Sequence, residues 1–109
     1  MKTLEKLFIK AQENGTANLN GRITEYDFGC KYVGDLQSKY RVTIENNYLT
    51  LEHWGTVILE LYLNKNVLNN YYLESSSDAQ AINFTLNYFN IKGKCHYYPS
   101  KEKYTYENN

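Results

Sequence analysis

The chain has 109 residues, 42% of them apolar, with 12 acidic and 12 basic side chains. That length suits one domain with a single core and is too short for two. A net charge of zero gives no global field to draw the molecule to phosphate backbones or anionic membranes, and it is far from the acidity with which a protein imitates DNA.

Charges at Lys2, Glu5, Lys6 and Lys10 interrupt the first ten residues before a signal-peptide core can form. No later run approaches the roughly 20 apolar residues of a membrane span. A cytoplasmic protein is expected, in which Cys30 and Cys95 are free thiols, too few for a disulfide scaffold.

In chain order, Thr3 can cap a helix over about 4–13. Leu4, Leu7, Phe8 and Ala11 form its buried stripe, and Gly15 suits its end. Residues 19–27 carry a weak strand signal with a bulge expected at Gly21, and 29–36 are equally indistinct. The centre is clearer. Tyr40, Val42 and Ile44 alternate with polar residues, Asn46-Asn47 turns the chain, and Leu49 and Leu51 alternate in return, which is a β-hairpin.

After Gly55, the alternation sends Val57, Leu59, Leu61 and Leu63 one way and Ile58, Glu60 and Tyr62 the other. Asn64-Lys65-Asn66 then turns into a strand over 67–73. Ser77 with Gln80 matches a capping box for a second helix over about 78–89, ending around Asn90, with Ala79, Ile82, Leu86 and Phe89 at helical spacing. Residues 94–98 read as a last strand. The expected fold is α+β, an antiparallel sheet of about four to six strands with a central meander packed against two α-helices. Residues 1–98 form the domain, and 99–109 a partly ordered tail with room for an edge strand at Tyr104 and Tyr106.

Cys30, His53, Cys95 and His96 have metal-ligand chemistry, but none lies at zinc-site spacing, and no flanking signature supports a cysteine nucleophile. No metal, cofactor or catalytic residue is expected. Lys31-Tyr32-Val33-Gly34-Asp35-Leu36 resembles the shorter RNA-contact motif of RRM domains, yet its aromatic companion is absent and a strand-like segment follows where that fold needs a helix. Glu45, Glu52, Glu60 and Glu74, about one per strand, suit a solvated sheet face.

Aromatics are the oddity. There are 12 tyrosines, several in adjacent pairs that must face opposite sides of a strand, so some rings are exposed. Trp54, Tyr62, Tyr71, Tyr72, Tyr97, Tyr98, Tyr104 and Tyr106 are the candidate partner-binding anchors, since tyrosine and tryptophan give large contact area at low entropy cost. A base composition that favours Tyr, Asn and Lys codons explains the surplus equally well. Lys92, Lys94, Lys101 and Lys103 beside the tyrosines make the alternative, a surface for single-stranded nucleic acid.

The series His53-Trp54-Gly55-Thr56, Ile58-Leu59, then Ser75-Ser76-Ser77-Asp78-Ala79, Ala81-Ile82-Asn83 and Leu86 resembles a small uncharacterised accessory domain of Gram-positive bacteriophages and mobile elements. It covers about two-fifths of the chain and stops short of the segment before Tyr40. The resemblance implies an accessory phage product without a known reaction, expected to be non-enzymatic and to work in the host cytoplasm; an unpaired edge strand or exposed aromatic patch allows a homodimer as well as a monomer. By analogy it implies an inhibitor of a host defence protein, most concretely an anti-CRISPR protein that blocks a Cas effector nuclease.

Overall fold

The computed structural model describes residues 2–27, 29–98 and 103–107. Two helices, α1 (Lys2–Asn14) and α2 (Ser76–Tyr88), accompany seven strands: β1 (Thr16–Asp27), β2 (Cys30–Glu45), β3 (Tyr48–His53), β4 (Thr56–Tyr62), β5 (Val67–Tyr71), β6 (Lys94–Tyr98) and β7 (Lys103–Glu107). Strands β1 to β5 form one antiparallel meander in sequence order, and β6 and β7 pair as a separate two-stranded ribbon. The α+β architecture is the one expected. No helix among the described residues is long and apolar enough to cross a membrane.

Helix α1 starts two residues earlier than the Thr3 cap implies and ends where Gly15, at φ 85°, donates its N–H to Ala11. The cap of α2 is Ser75 rather than Ser77, because its hydroxyl accepts the Asp78 N–H three residues on. At the other end Asn90 adopts a left-handed conformation, and the Ile91 N–H returns to the Leu86 carbonyl in a Schellman closure.

Both residues of the Asn46-Asn47 turn have positive φ, 52° and 64°, which matches the twist of the flanking strands and fixes the β2–β3 register. Tyr40, Val42 and Ile44 then pair with His53, Leu51 and Leu49 on one face. In β4 the expected alternation fails at one point. A bulge opposite Leu51 and Glu52 buries Ile58 together with Leu59 and leaves Val57 exposed beside Glu52. Strand β5 stops at Tyr71, so Glu74 lies in the loop before α2 rather than on a strand.

The helices cover one face of the sheet. Leu4, Leu7, Phe8 and Ala11 of α1 and Ala79, Ile82 and Leu86 of α2 are buried with Val42, Leu49, Leu51, Leu59 and Leu61. Phe8 joins the helices, its ring lying 5.0 Å from Tyr88 and 5.2 Å from Phe89. The Asn83 amide imitates a strand by donating to the Cys95 carbonyl and accepting its N–H, which fastens β6 to α2.

Strands β1 and β2 outgrow this core. Residues 20–27 pair only with 30–38, so that half of the hairpin stands clear of the sheet as a two-stranded arm. The radius of gyration, 14.8 Å, exceeds the roughly 13 Å of a compact domain of this length.

Candidate functional site

Two regions carry functional potential. The first is a cleft of about 360 Å³ on the helix-bearing side, at the base of the arm, lined by His53, Trp54, Thr56, Ile58, Glu74, Ser75, Ser77 and Asp78. The β3–β4 turn delivers His53 and Trp54, and the capped end of α2 delivers Asp78. In the sequence these two parts are 25 residues apart; in the fold His53 Nδ1 and Asp78 Oδ1 are separated by 2.6 Å in a buried hydrogen bond.

Asp78 Oδ2 also accepts the Glu74 N–H at 2.9 Å. Burial alone would raise the Asp78 carboxyl. The hydrogen bonds from His53 and Glu74, the His53 charge and the Ser75 contact outweigh that and hold it below its usual range. The carboxylate engages Nδ1, and no hydrogen bond to Nε2 is present among the described residues. The imidazole stacks on Tyr40, 4.5 Å away and 8° from parallel, and Tyr40 is itself raised by burial and by the Asp78 charge.

Trp54 occupies a left-handed backbone position, φ 52°, followed by Gly55 at 83°. A bulky residue there costs roughly 1–2 kcal/mol. Its indole lies against Gly21, where an added Cβ would come within 3.3 Å of the ring and 3.2 Å of the Lys39 stem. The glycine read from the sequence as a bulge is thus the seat for a tryptophan, with the register irregularities on either side of it, at Leu19/Asn20 and Arg22/Thr24.

An Asp–His pair beside serines invites comparison with acyl-transfer sites. The chemistry is incomplete, because no hydroxyl is hydrogen-bonded to His53 among the described residues and the Ser75 oxygen is engaged as a helix cap. What the pair provides is a positioned imidazole in a half-enclosed cleft. Among the described residues no three His, Cys, Asp or Glu side chains group as a metal site requires. Cys30 lies at the exposed tip of the arm, while Cys95 is buried and its thiol is pushed up to about 11 by that burial.

The second region is the sheet face that no helix covers. The registers direct Asn18, Arg22, Arg41, Thr43, Tyr48, Thr50, Glu52, Glu60 and Tyr62 to it. A bulge between Arg22 and Thr24 brings Val33 and Leu36 onto this same side. Val33 is 55% exposed, Leu36 56%, Val57 40%, Tyr62 38% and Val67 47%, so five of the seven exposed large apolar side chains among the described residues share one face. At the sheet end Tyr48 and Tyr62 meet edge to face at 5.0 Å, and Asn69 donates to the Tyr48 hydroxyl at 2.8 Å.

The candidate anchors are distributed between these regions and the core. Trp54 lines the cleft and Tyr62 lies on the open face. Tyr71 and Tyr97 pack against the core, and Tyr72 is exposed and donates to Glu74 at 2.7 Å. The β6–β7 register sets Tyr97 opposite Tyr104, Cys95 opposite Tyr106 and Tyr98 opposite Lys103. Lys92 and Lys94 are exposed at the entry to β6, whereas Lys101 lies outside the described residues. Sequence reading missed the His53–Asp78 pair, whose signal was the near-invariable need of a buried imidazole for a partner. It also missed Val33 and Leu36 as surface residues.

Comparison with family models, with curated proteins and with solved structures returns no match.

Proposed function

We propose that the protein is a non-enzymatic binding protein that docks on a host protein through its open sheet face and arm. One observation supports this reading above the others: five of the seven exposed large apolar side chains among the described residues lie on one uncovered side of the sheet and arm. Apolar anchors spaced by polar residues along one uncovered side are a means by which proteins recognise one another. With the phage-like series around Trp54 and α2, the concrete form of the proposal is an accessory phage inhibitor of a host defence protein, an anti-CRISPR protein acting on a Cas effector. A net charge of zero favours occlusion by shape or restraint of a conformational change over imitation of DNA.

The test is affinity purification of the tagged protein from a Gram-positive host lysate, with and without nuclease treatment, followed by mass spectrometry and an interference assay. Recovery of a defence protein after nuclease treatment, with relief of interference, supports the proposal. Recovery of nucleic acid alone, with binding that weakens steeply in salt, overturns it in favour of single-strand binding through Lys92, Lys94, Lys101 and Lys103.

A further inference from the structure

The cleft at the base of the arm lies on the opposite side of the sheet from the open face, and its chemistry is different. We propose that it is a binding site for a guanidinium group. Three features converge on that ligand. Its lining holds two carboxylates, Glu74 and Asp78, and neither lysine nor arginine, so a cation is the complementary charge. His53, only 8% exposed, has its Nδ1 engaged by Asp78 and makes no other hydrogen bond among the described residues, so a second buried ring nitrogen remains to be satisfied, and in the neutral imidazole that nitrogen is an acceptor. Trp54, held in a costly left-handed conformation, presents a half-buried indole beside it, 5.9 Å from the imidazole centre.

A guanidinium meets all three demands together. It is planar and stacks on an aromatic face, and its N–H groups spread to several acceptors at once, here a carboxylate, an imidazole nitrogen and serine hydroxyls. An ammonium supplies a point charge but no stacking plane. The volume, about 360 Å³, is at the small end of the roughly 300–1,000 Å³ of ligand sites and suits a single side chain or small molecule. An anion is the competitor, because a helix N-terminus faces the cleft. Here the Asp78 N–H is already capped by Ser75, Asp78 itself sits in the first turn, and Glu74 stands at the rim, so the positive end of α2 is largely answered from within.

The experiment uses a reporter already present: Trp54 is the only tryptophan in the chain. Its selectively excited fluorescence is followed while the intact protein is titrated with methylguanidinium, N-acetyl-argininamide, N-acetyl-lysinamide and inorganic phosphate. The expected result is a saturable change with the guanidinium probes at millimolar concentrations, the range for so small a ligand, and a weaker one with the lysine analogue. Glu74→Gln, which alters an exposed side chain and leaves the thermal midpoint in place, is expected to weaken guanidinium binding about tenfold.

Equal affinity for the two guanidinium probes assigns the site to the head group of a free small molecule. A clear preference for N-acetyl-argininamide assigns it to an arginine of a polypeptide. No saturable change, a response to phosphate of equal strength, or undiminished affinity in Glu74→Gln would overturn the inference. None of these outcomes bears on docking at the open face, which the lysate experiment judges separately.

Discussion

Strands β1 and β2 pass through two environments. Near the turn into β3 they carry Ala17, Tyr40 and Val42, buried beneath α1; beyond Gly21 and Ser38 the same two strands carry Arg22, Thr24, Val33 and Leu36 into solvent. Apart from the bulges at Leu19/Asn20 and Arg22/Thr24 the two strands pair antiparallel along their whole length, and the main difference is the cover. Pairing alone therefore does not decide where stability resides in this molecule. Burial under the helices does, and the arm is left as surface whose apolar groups contribute little to folding.

The strongest way to break this contrast is in the covered half. Leu51 is fully buried between Val42 and Leu59, so Leu51→Ala should cost about 3–5 kcal/mol, read as a large drop in the urea midpoint. A loss under 1 kcal/mol would mean that the helices do not seal this face.

The two thiols report the same contrast chemically. Cys30 sits exposed at the arm tip, and Cys95 is buried under α2. Raising the Cys95 thiol from 9.0 to about 11 lowers its thiolate fraction roughly 100-fold, before any loss of access is counted. A disulfide-exchange reagent at neutral pH should label one thiol quickly and the second only on unfolding. Two equally fast thiols would place Cys95 at the surface.

The junction between covered and uncovered halves is the His53–Asp78 pair, which ties the end of β3 to α2. Asp78→Asn removes a charge-assisted hydrogen bond but keeps the shape, at a cost of about 1–3 kcal/mol. The pH dependence follows from the sign of the shift. A carboxyl lower in the folded than in the unfolded state adds stability above its reference value of 3.8, and that contribution is lost as pH falls through the lower folded value. The gap between wild type and Asp78→Asn in denaturant midpoint should thus persist down to about pH 4 and close below it. A gap independent of pH would show that the charge of Asp78 plays no part.

The same division explains what could be read from the residues. In the covered half burial imposes a period, so the stripe of α1, the hairpin through Asn46-Asn47 and the helix after Ser75 all announce themselves. In the arm no described side chain is fully buried, no period is imposed, and 19–27 and 29–36 read as little more than a hint of strand. Bulges hide the remainder: one inserts Ile58 into the core where strict alternation sends Val57, and one turns Val33 and Leu36 to a common side. The cleft was illegible for a further reason. Its pieces, Gly21, His53-Trp54 and Glu74 to Asp78, come from three segments, and only the tertiary fold brings an indole onto a glycine and an imidazole onto a carboxylate.

The smallest effect on folding is also the sharpest test of the comparison. Val33 and Leu36 are more than half exposed and belong to no core, so Val33→Ser with Leu36→Ser should shift stability by no more than about 0.5 kcal/mol. If the open face is the docking surface, the same pair removes two apolar anchors from it, and retention of the host protein in the affinity purification should fall at least tenfold, because anchor contacts dominate interface energies. Stability and binding then separate cleanly: an arm built for folding would lose the first, and an arm built for a partner loses only the second. A double variant that unfolds easily would assign the arm to the core's support, and one that keeps both properties would leave the apolar side of the arm without a role in docking.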